Sequence, residues 1–132
     1  VKIMKIAITS TGDSLEDAVS NMFGRCPYFI VVEVEDTEIK DIQSLQNQSK
    51  NQRGGAGMSA AQKVGEEEVD ALITGSIGPN AFDVLQRLGI DVYSAESSTV
   101  KENIELLEEG KLEMVSSPTG RAGRGKGGRG RF

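Results

Sequence analysis

Apolar residues along the chain recur with two different spacings, and their order predicts a layered fold. Between Met4 and Thr9, Ile6, Ala7 and Ile8 are consecutive, with a charge only at Lys5. A run that is apolar at neighbouring positions suits a strand covered on both faces, so a central strand is expected here. Thr11, Gly12 and Asp13 break the run. Leu15, Ala18, Val19 and Met22 then return at helical intervals and predict a short helix of about two turns. From Tyr28 to Glu35 the β-branched residues Ile30, Val31, Val32 and Val34 dominate, and a polar patch around Asp36 separates them from Ile39 and Ile42. That pattern predicts a hairpin.

The next stretch, Asn47 to Gly57, is polar and glycine-rich, long enough for a mobile loop, and leads into a helix expected from about Met58 to Glu68. Ala71 to Thr74 reads as a short apolar strand. Pro79 stands where the first turn of a helix accepts proline, and Ala81, Val84, Leu85 and Leu88 supply an apolar face that Gly89 closes. Ile90 to Tyr93 predicts another strand. Thr99 and Glu102 then have capping-box spacing, with Val100, Ile104 and Leu107 as the apolar face and Gly110 as the stop. Strand and helix alternate after residue 58, which implies parallel crossovers, whereas the earlier hairpin adds antiparallel pairing. The expected fold class is therefore α/β, a mixed sheet with helices on both faces.

Composition and charge refine this picture. The chain has 132 residues and 37% hydrophobic content, enough for one ordinary domain with its own core. Its net charge of -5 is unevenly spread, because Arg121, Arg124, Lys126, Arg129 and Arg131 lie among six glycines at the end of the chain without an acid. Removing those five leaves ten basic against twenty acidic residues on the body. The expected division is an α/β domain over residues 1–118 and a disordered Gly/Arg-rich basic tail over 119–132, since the tail cannot bury enough apolar surface to fold. An acidic body repels nucleic acid and anionic membranes, so a polyanion would meet the tail first. No stretch approaches the roughly 20 apolar residues of a membrane span and no signal-peptide pattern opens the chain, from which a cytoplasmic location is expected. Cys26 is the single cysteine and there is no histidine, so an internal disulfide and a zinc site of the usual spacing are excluded.

Three segments join regular elements and could carry chemistry: Phe23-Gly24-Arg25-Cys26-Pro27-Tyr28-Phe29, Gly54-Gly55-Ala56-Gly57, and Gly75-Ser76-Ile77-Gly78-Pro79-Asn80-Ala81-Phe82. The second and third each precede a helix, so free backbone N–H groups and the positive helix end could face a common anion. The plain alternative is that glycines merely permit tight turns, which accounts for any one such segment taken alone. Neither segment has the Lys-Ser/Thr ending of a nucleotide phosphate loop or the full glycine pattern of a dinucleotide fold. The acids Glu66, Glu67 and Glu68 point in different helical directions and read as a solvated surface, and Asp13, Glu16 and Asp17 suit the start of a helix. No paired acid and base is evident for hydrolysis, and no serine lies in a motif that marks a nucleophile.

Taken together, the three segments and the strand Met4 to Ser10 resemble the dinitrogenase iron-molybdenum cofactor biosynthesis family, over roughly Met4 to Val115. The resemblance implies a three-layer, ribonuclease-H-like mixed sheet of about five strands. It also implies a non-enzymatic binding or carrier role for an iron-sulfur or molybdenum-containing metal-sulfur cluster, held at loops gathered at one end of the sheet, and a protein partner in cofactor assembly. The residues that it points to are Gly24, Arg25, Cys26, Arg53, Gly54, Gly55, Gly57, Gly75, Gly78 and Asn80. Nitrogenase members often place a histidine near the position of Arg25 or Cys26; with no histidine here, imidazole ligation is ruled out. Cys26 is either a soft thiolate ligand, with Arg25 and Arg53 balancing the cluster's charge, or a small core residue. Two further functions stay open. One is nucleic-acid association through the Arg/Gly tail, sequence-tolerant and strongly salt-dependent, and the other is a regulatory subunit that senses a small anion.

Overall fold

The computed structural model describes residues 3–48, 51, 53–96 and 98–117, and the expected basic tail lies outside the described residues. Along the chain come β1 (Ile3–Ser10), β2 (Tyr28–Glu35), β3 (Glu38–Gln46), α1 (Ala56–Glu66), β4 (Ala71–Thr74), α2 (Pro79–Arg87), β5 (Asp91–Ser94) and α3 (Val100–Glu108). The strands form one sheet in the order β3-β2-β1-β4-β5. Pairing is antiparallel on the β3-β2-β1 side and parallel on the β1-β4-β5 side. The mixed sheet, the hairpin and the central place of β1 are as expected.

The reason β1 is central lies in its side chains. Ala7 faces the layer of α1 and α2 together with Val31, Leu72 and Val92. Ile6 and Ile8 face α3 together with Ile30, Val32 and Ile73. Both faces of β1 are thus apolar, and all of Ile6, Ala7 and Ile8 are fully buried. By contrast, β3 carries Glu38, Lys40, Asp41, Gln43 and Gln46 exposed, which is affordable only at a sheet edge. A bulge between Glu33 and Val34 skews its pairing with β2. At the other edge, the segment after α3 lies along β5, with the Val115 N–H donating to the Val92 carbonyl at 2.7 Å and the Ser94 N–H to Glu113 at 2.9 Å.

Helices α1 and α2 lie side by side. A Cβ at Gly57 would rest in ordinary contact with Ala81 at 3.4 Å, and one at Gly65 would meet the far end of the Leu88 side chain at 2.6 Å. Helix α1 begins at Ala56, two residues earlier than the apolar spacing suggests, because Gly55 turns the chain with a φ of 74° that L side chains resist. The capping box at Thr99 and Glu102 is formed, and Gly89 and Gly110 both take positive φ after their helices.

One expectation is corrected. Leu15 to Met22 is not a helix: residues 11–27 run as bends and turns with isolated bridges from Val19 to Ser10, Ala18 to Thr99 and Met22 to Ser76. A helix of two turns is poorly nucleated on its own, and here the backbone finds partners elsewhere. Val100 donates to the Asp17 carbonyl at 2.9 Å, Lys101 to Leu15 at 3.0 Å and Phe23 to Ser76 at 3.1 Å. The apolar spacing served packing instead, because Leu15 and Val19 lie against the α3-side core.

Candidate functional site

Strand register lines up one end of the sheet. Ser10 pairs with Tyr28, Tyr28 with Gln46, and Thr74 with Ser94, so the loops 11–27, 47–55, 75–78 and 95–99 all leave from this end. It is the carboxyl end of the parallel strands β1, β4 and β5, where open α/β sheets place their ligands. Thr9 and Thr74 sit buried just beneath, with the Thr9 hydroxyl 3.2 Å from that of Thr74 and 2.9 Å from the Ser20 carbonyl. Neither threonine has a sequence signal beyond its place at a strand end.

The structure brings the three glycine segments together. A Cβ at Gly24 would lie 3.0 Å from both N and Cα of Gly57, so the first segment rests directly on the backbone of the second. Gly57 in turn abuts Ala81 of the third. A Cβ at Gly75 would come within 2.7 Å of the Asn21 Cα, and the Ser76 hydroxyl donates to the Asn21 carbonyl at 2.8 Å. Packing therefore explains Gly24 and Gly75, and backbone conformation explains Gly55. Gly54 and Gly78 are different: a Cβ at either would meet nothing within 4 Å, and neither has a positive φ. Turn geometry and crowding give no reason for glycine at those two positions.

Gly78 is also the N-cap of α2, and Gly55 that of α1. Neither helix receives a side-chain cap, and neither carries an acid in its first turn. Two positive helix ends thus open on the same face of the sheet beside Gly54 and Gly78. Arg25 and Arg53 are exposed next to Gly24 and Gly54, and Asn80 is exposed in the first turn of α2.

Cys26 is placed otherwise than a projecting ligand would be. Its side chain is fully buried in the core shared with α1 and α2, beside Phe23 and Phe29, whose rings lie 5.5 Å apart. The thiol donates back to the Phe23 carbonyl at 3.2 Å. Burial pushes its pKa from 9.0 up to about 12, outweighing the hydrogen bond from Asn47, so the neutral thiol is the form present near neutral pH. Asn47, buried at the end of β3, is a residue that sequence reasoning passed over as part of a polar loop. Its Nδ2 donates to the carbonyls of Cys26 at 2.8 Å and Gly24 at 3.2 Å, clamping the first segment to the sheet. No local pattern marks an asparagine for that task.

The donor set can now be tested against a metal-sulfur cluster. Among the described residues, no group of three or more His, Cys, Asp or Glu could hold a metal ion. The thiol is sequestered. What the residues fit is the outside of a polyanion, whose sulfur atoms would face backbone N–H groups and arginines.

The structure is an open mixed α/β sheet with glycine-rich loops and two helix starts without side-chain caps at one end. The chain belongs to the dinitrogenase iron-molybdenum cofactor family, which it matches over residues 3–110. A functionally uncharacterized protein of Methanocaldococcus jannaschii is 42% identical over 113 residues, 86% of this chain and 92% of that one. The apo form of the orange protein from Desulfovibrio gigas is similar in structure with a TM-score of 0.81 and 32% identity, over 89% of this chain and 97% of that chain. A Thermotoga protein with a provisional NifB designation gives a TM-score of 0.76 and 35% identity, over 91% and 99% of the two chains. Among the described residues, no helix is long and apolar enough to cross a membrane.

Proposed function

We propose that this protein is a non-enzymatic carrier of an anionic metal-sulfur cluster, of the iron-sulfur or molybdenum-sulfur class, which it delivers to a protein partner in cofactor assembly. The observation that carries this reading is the pair Gly54 and Gly78, open to space and unforced by conformation, beside two helix starts without caps. The family to which the chain belongs supports it.

In this reading the first turns of α1 and α2 donate backbone N–H groups to cluster sulfurs, with glycine at positions 54 and 78 letting a bulky ligand approach the chain closely. Arg25 and Arg53 balance the charge. Asn47 is a positioning residue, since it holds the Gly24 to Cys26 segment in place without touching the cargo. Because binding rests on hydrogen bonds and charge and not on metal–protein bonds, the cluster can leave intact, which suits carriage and transfer. Cys26 contributes as core, not as ligand.

Anaerobic titration of the full chain with tetrathiomolybdate tests the proposal. Saturable, salt-weakened binding is expected, with Arg25→Ala losing about 1 kcal/mol of binding energy and Cys26→Ala retaining the wild-type affinity. Absence of saturable binding to thiomolybdate and to iron-sulfur species alike would overturn the carrier reading. Loss confined to Cys26→Ala would replace anion recognition with coordination.

A further inference from the structure

Helix α3 carries an electrostatic problem on its outer side. Its last turn holds Glu105 and Glu108, with Glu109 at the C-cap and no basic residue, so carboxylates crowd the negative end of the helix. Burial first, and then the charges of Glu105 and Glu109, raise the Glu108 carboxyl above its ordinary pKa. Beside it a groove of about 470 Å³ is lined by Glu96, Glu102, Glu105 and Glu109, with Leu106 on its wall and Lys111 as the single cation among the described residues that border it. Lys111 already pairs with Glu109 at 3.2 Å, and Glu102 serves the cap of α3. The groove therefore keeps a surplus of negative charge.

What could offset that surplus is decided by its shape. Among the described residues no three acids are grouped so as to hold a metal ion, and the carboxylates are strung along the helix instead, which suits an extended cationic chain. The protein's own sequence supplies one. Residues 119–132 contain Arg121, Arg124, Lys126, Arg129 and Arg131 and no acid. Residue 119 is eight residues beyond Lys111, at most roughly 27 Å away along an extended chain, whereas the fourteen residues 119–132 span up to roughly 48 Å. The segment is long enough to return to the groove. Arginine forks match carboxylates, and exposed pairs that are weak one by one gain from being tethered to the surface they meet.

We propose that residues 119–132 dock onto their own domain, along the acidic groove of α3, through arginine–carboxylate pairs. The proposal does not rest on the carrier reading, since α3 packs on the face of the sheet opposite α1 and α2. It gives the basic segment a partner within the molecule, so a polyanion reaches those arginines only by displacing the groove. To test it, a nitroxide is attached to full-length protein at Ala122→Cys, while Cys26, buried as a neutral thiol, stays unreacted. Amide signals from Ser98 to Lys111 are expected to broaden strongly in low salt and those of α1 hardly at all. Salt at about 1 M, where the Debye length falls to about 3 Å, should remove the effect. The triple variant Glu96→Gln, Glu105→Gln and Glu109→Gln, which leaves the Thr99 and Glu102 cap intact, should remove it too, with the rest of the amide spectrum preserved. A mixture of spin-labelled, unenriched protein with enriched protein free of label should show no broadening, and broadening there as strong as within one chain would replace the proposal with docking onto a second copy. Absence of broadening near α3, even broadening over both faces, or an α3 pattern that survives the triple variant would each overturn the proposal.

Discussion

On one face of the sheet α3 starts at Thr99, whose hydroxyl accepts the Glu102 N–H at 3.1 Å while the Glu102 carboxylate accepts the Thr99 N–H at 3.1 Å. On the other face α1 and α2 start at Gly55 and Gly78, with neither a capping side chain nor an acid in the first turn. The three starts lie at the same end of the sheet, and their sequences treat the same electrostatic problem in opposite ways. A helix that only supports the fold satisfies its first N–H groups internally. With glycine in the N-cap place, the missing capping side chain forgoes about a few tenths of a kcal/mol per helix. The difference between the faces is thus chemical: one helix start carries a capping box, and two carry neither a capping side chain nor an acid in the first turn.

The largest test of that contrast concerns what lies beneath the receptive end. If Cys26 is core, its pKa is about 12 in the folded protein against 9.0 in the unfolded chain. The neutral thiol is then favoured by folding, so its contribution is fully present below pH 9.0 and is lost as pH rises toward about 12. Urea denaturation across that window should show the wild type losing on the order of a few kcal/mol relative to Cys26→Ala. Parallel curves for the two proteins would mean that the thiol is reachable by solvent and that the receptive end extends to it.

Next in size is Gly75→Ala, whose new methyl must displace the Asn21 backbone. A loss of roughly 1–3 kcal/mol is expected in denaturant unfolding. Gly54→Ala, with nothing within 4 Å of the added atom, should leave stability unchanged or raise it by a few tenths of a kcal/mol. Equal losses at both positions would erase the distinction between packing glycines and open ones.

Removing the closed cap comes third. Thr99→Ala should cost about 1 kcal/mol in thermal or chemical unfolding and leave thiomolybdate titration unaltered, because α3 packs on the face of the sheet opposite α1 and α2. The smallest change in stability should come from closing an open start. Gly78→Asp supplies α2 with a capping carboxylate and should stabilise the fold by only a few tenths of a kcal/mol, while weakening thiomolybdate binding by placing a negative charge where the anion sits. Stabilisation with undiminished binding would show that the α2 start takes no part in anion binding.

Much of this architecture could be read from local signals. The consecutive apolar residues Ile6, Ala7 and Ile8 made β1 central, Pro79 and Gly89 bracketed α2, and Thr99 with Glu102 announced the start of α3, because each depends on residues a few positions apart. The three glycine segments were likewise identifiable as joints between elements, and their residues carried the resemblance to the family. Tertiary structure alone decided what could not be read locally. Residues 11–27 abandoned their helical spacing because Ser76, Ser98 and Thr99, distant in sequence, offered their backbone better partners than a poorly nucleated helix. The depth of Cys26 was set by Phe23, Phe29 and the Asn47 clamp, which come from different parts of the chain. Glycines that look alike in sequence separated into packing positions, 24 and 75, and open ones, 54 and 78, only when the neighbouring backbones arrived. Local sequence governs hydrogen bonds and dihedral angles within a few residues, whereas burial and open space are properties of chains that meet, and the candidate site is made of both.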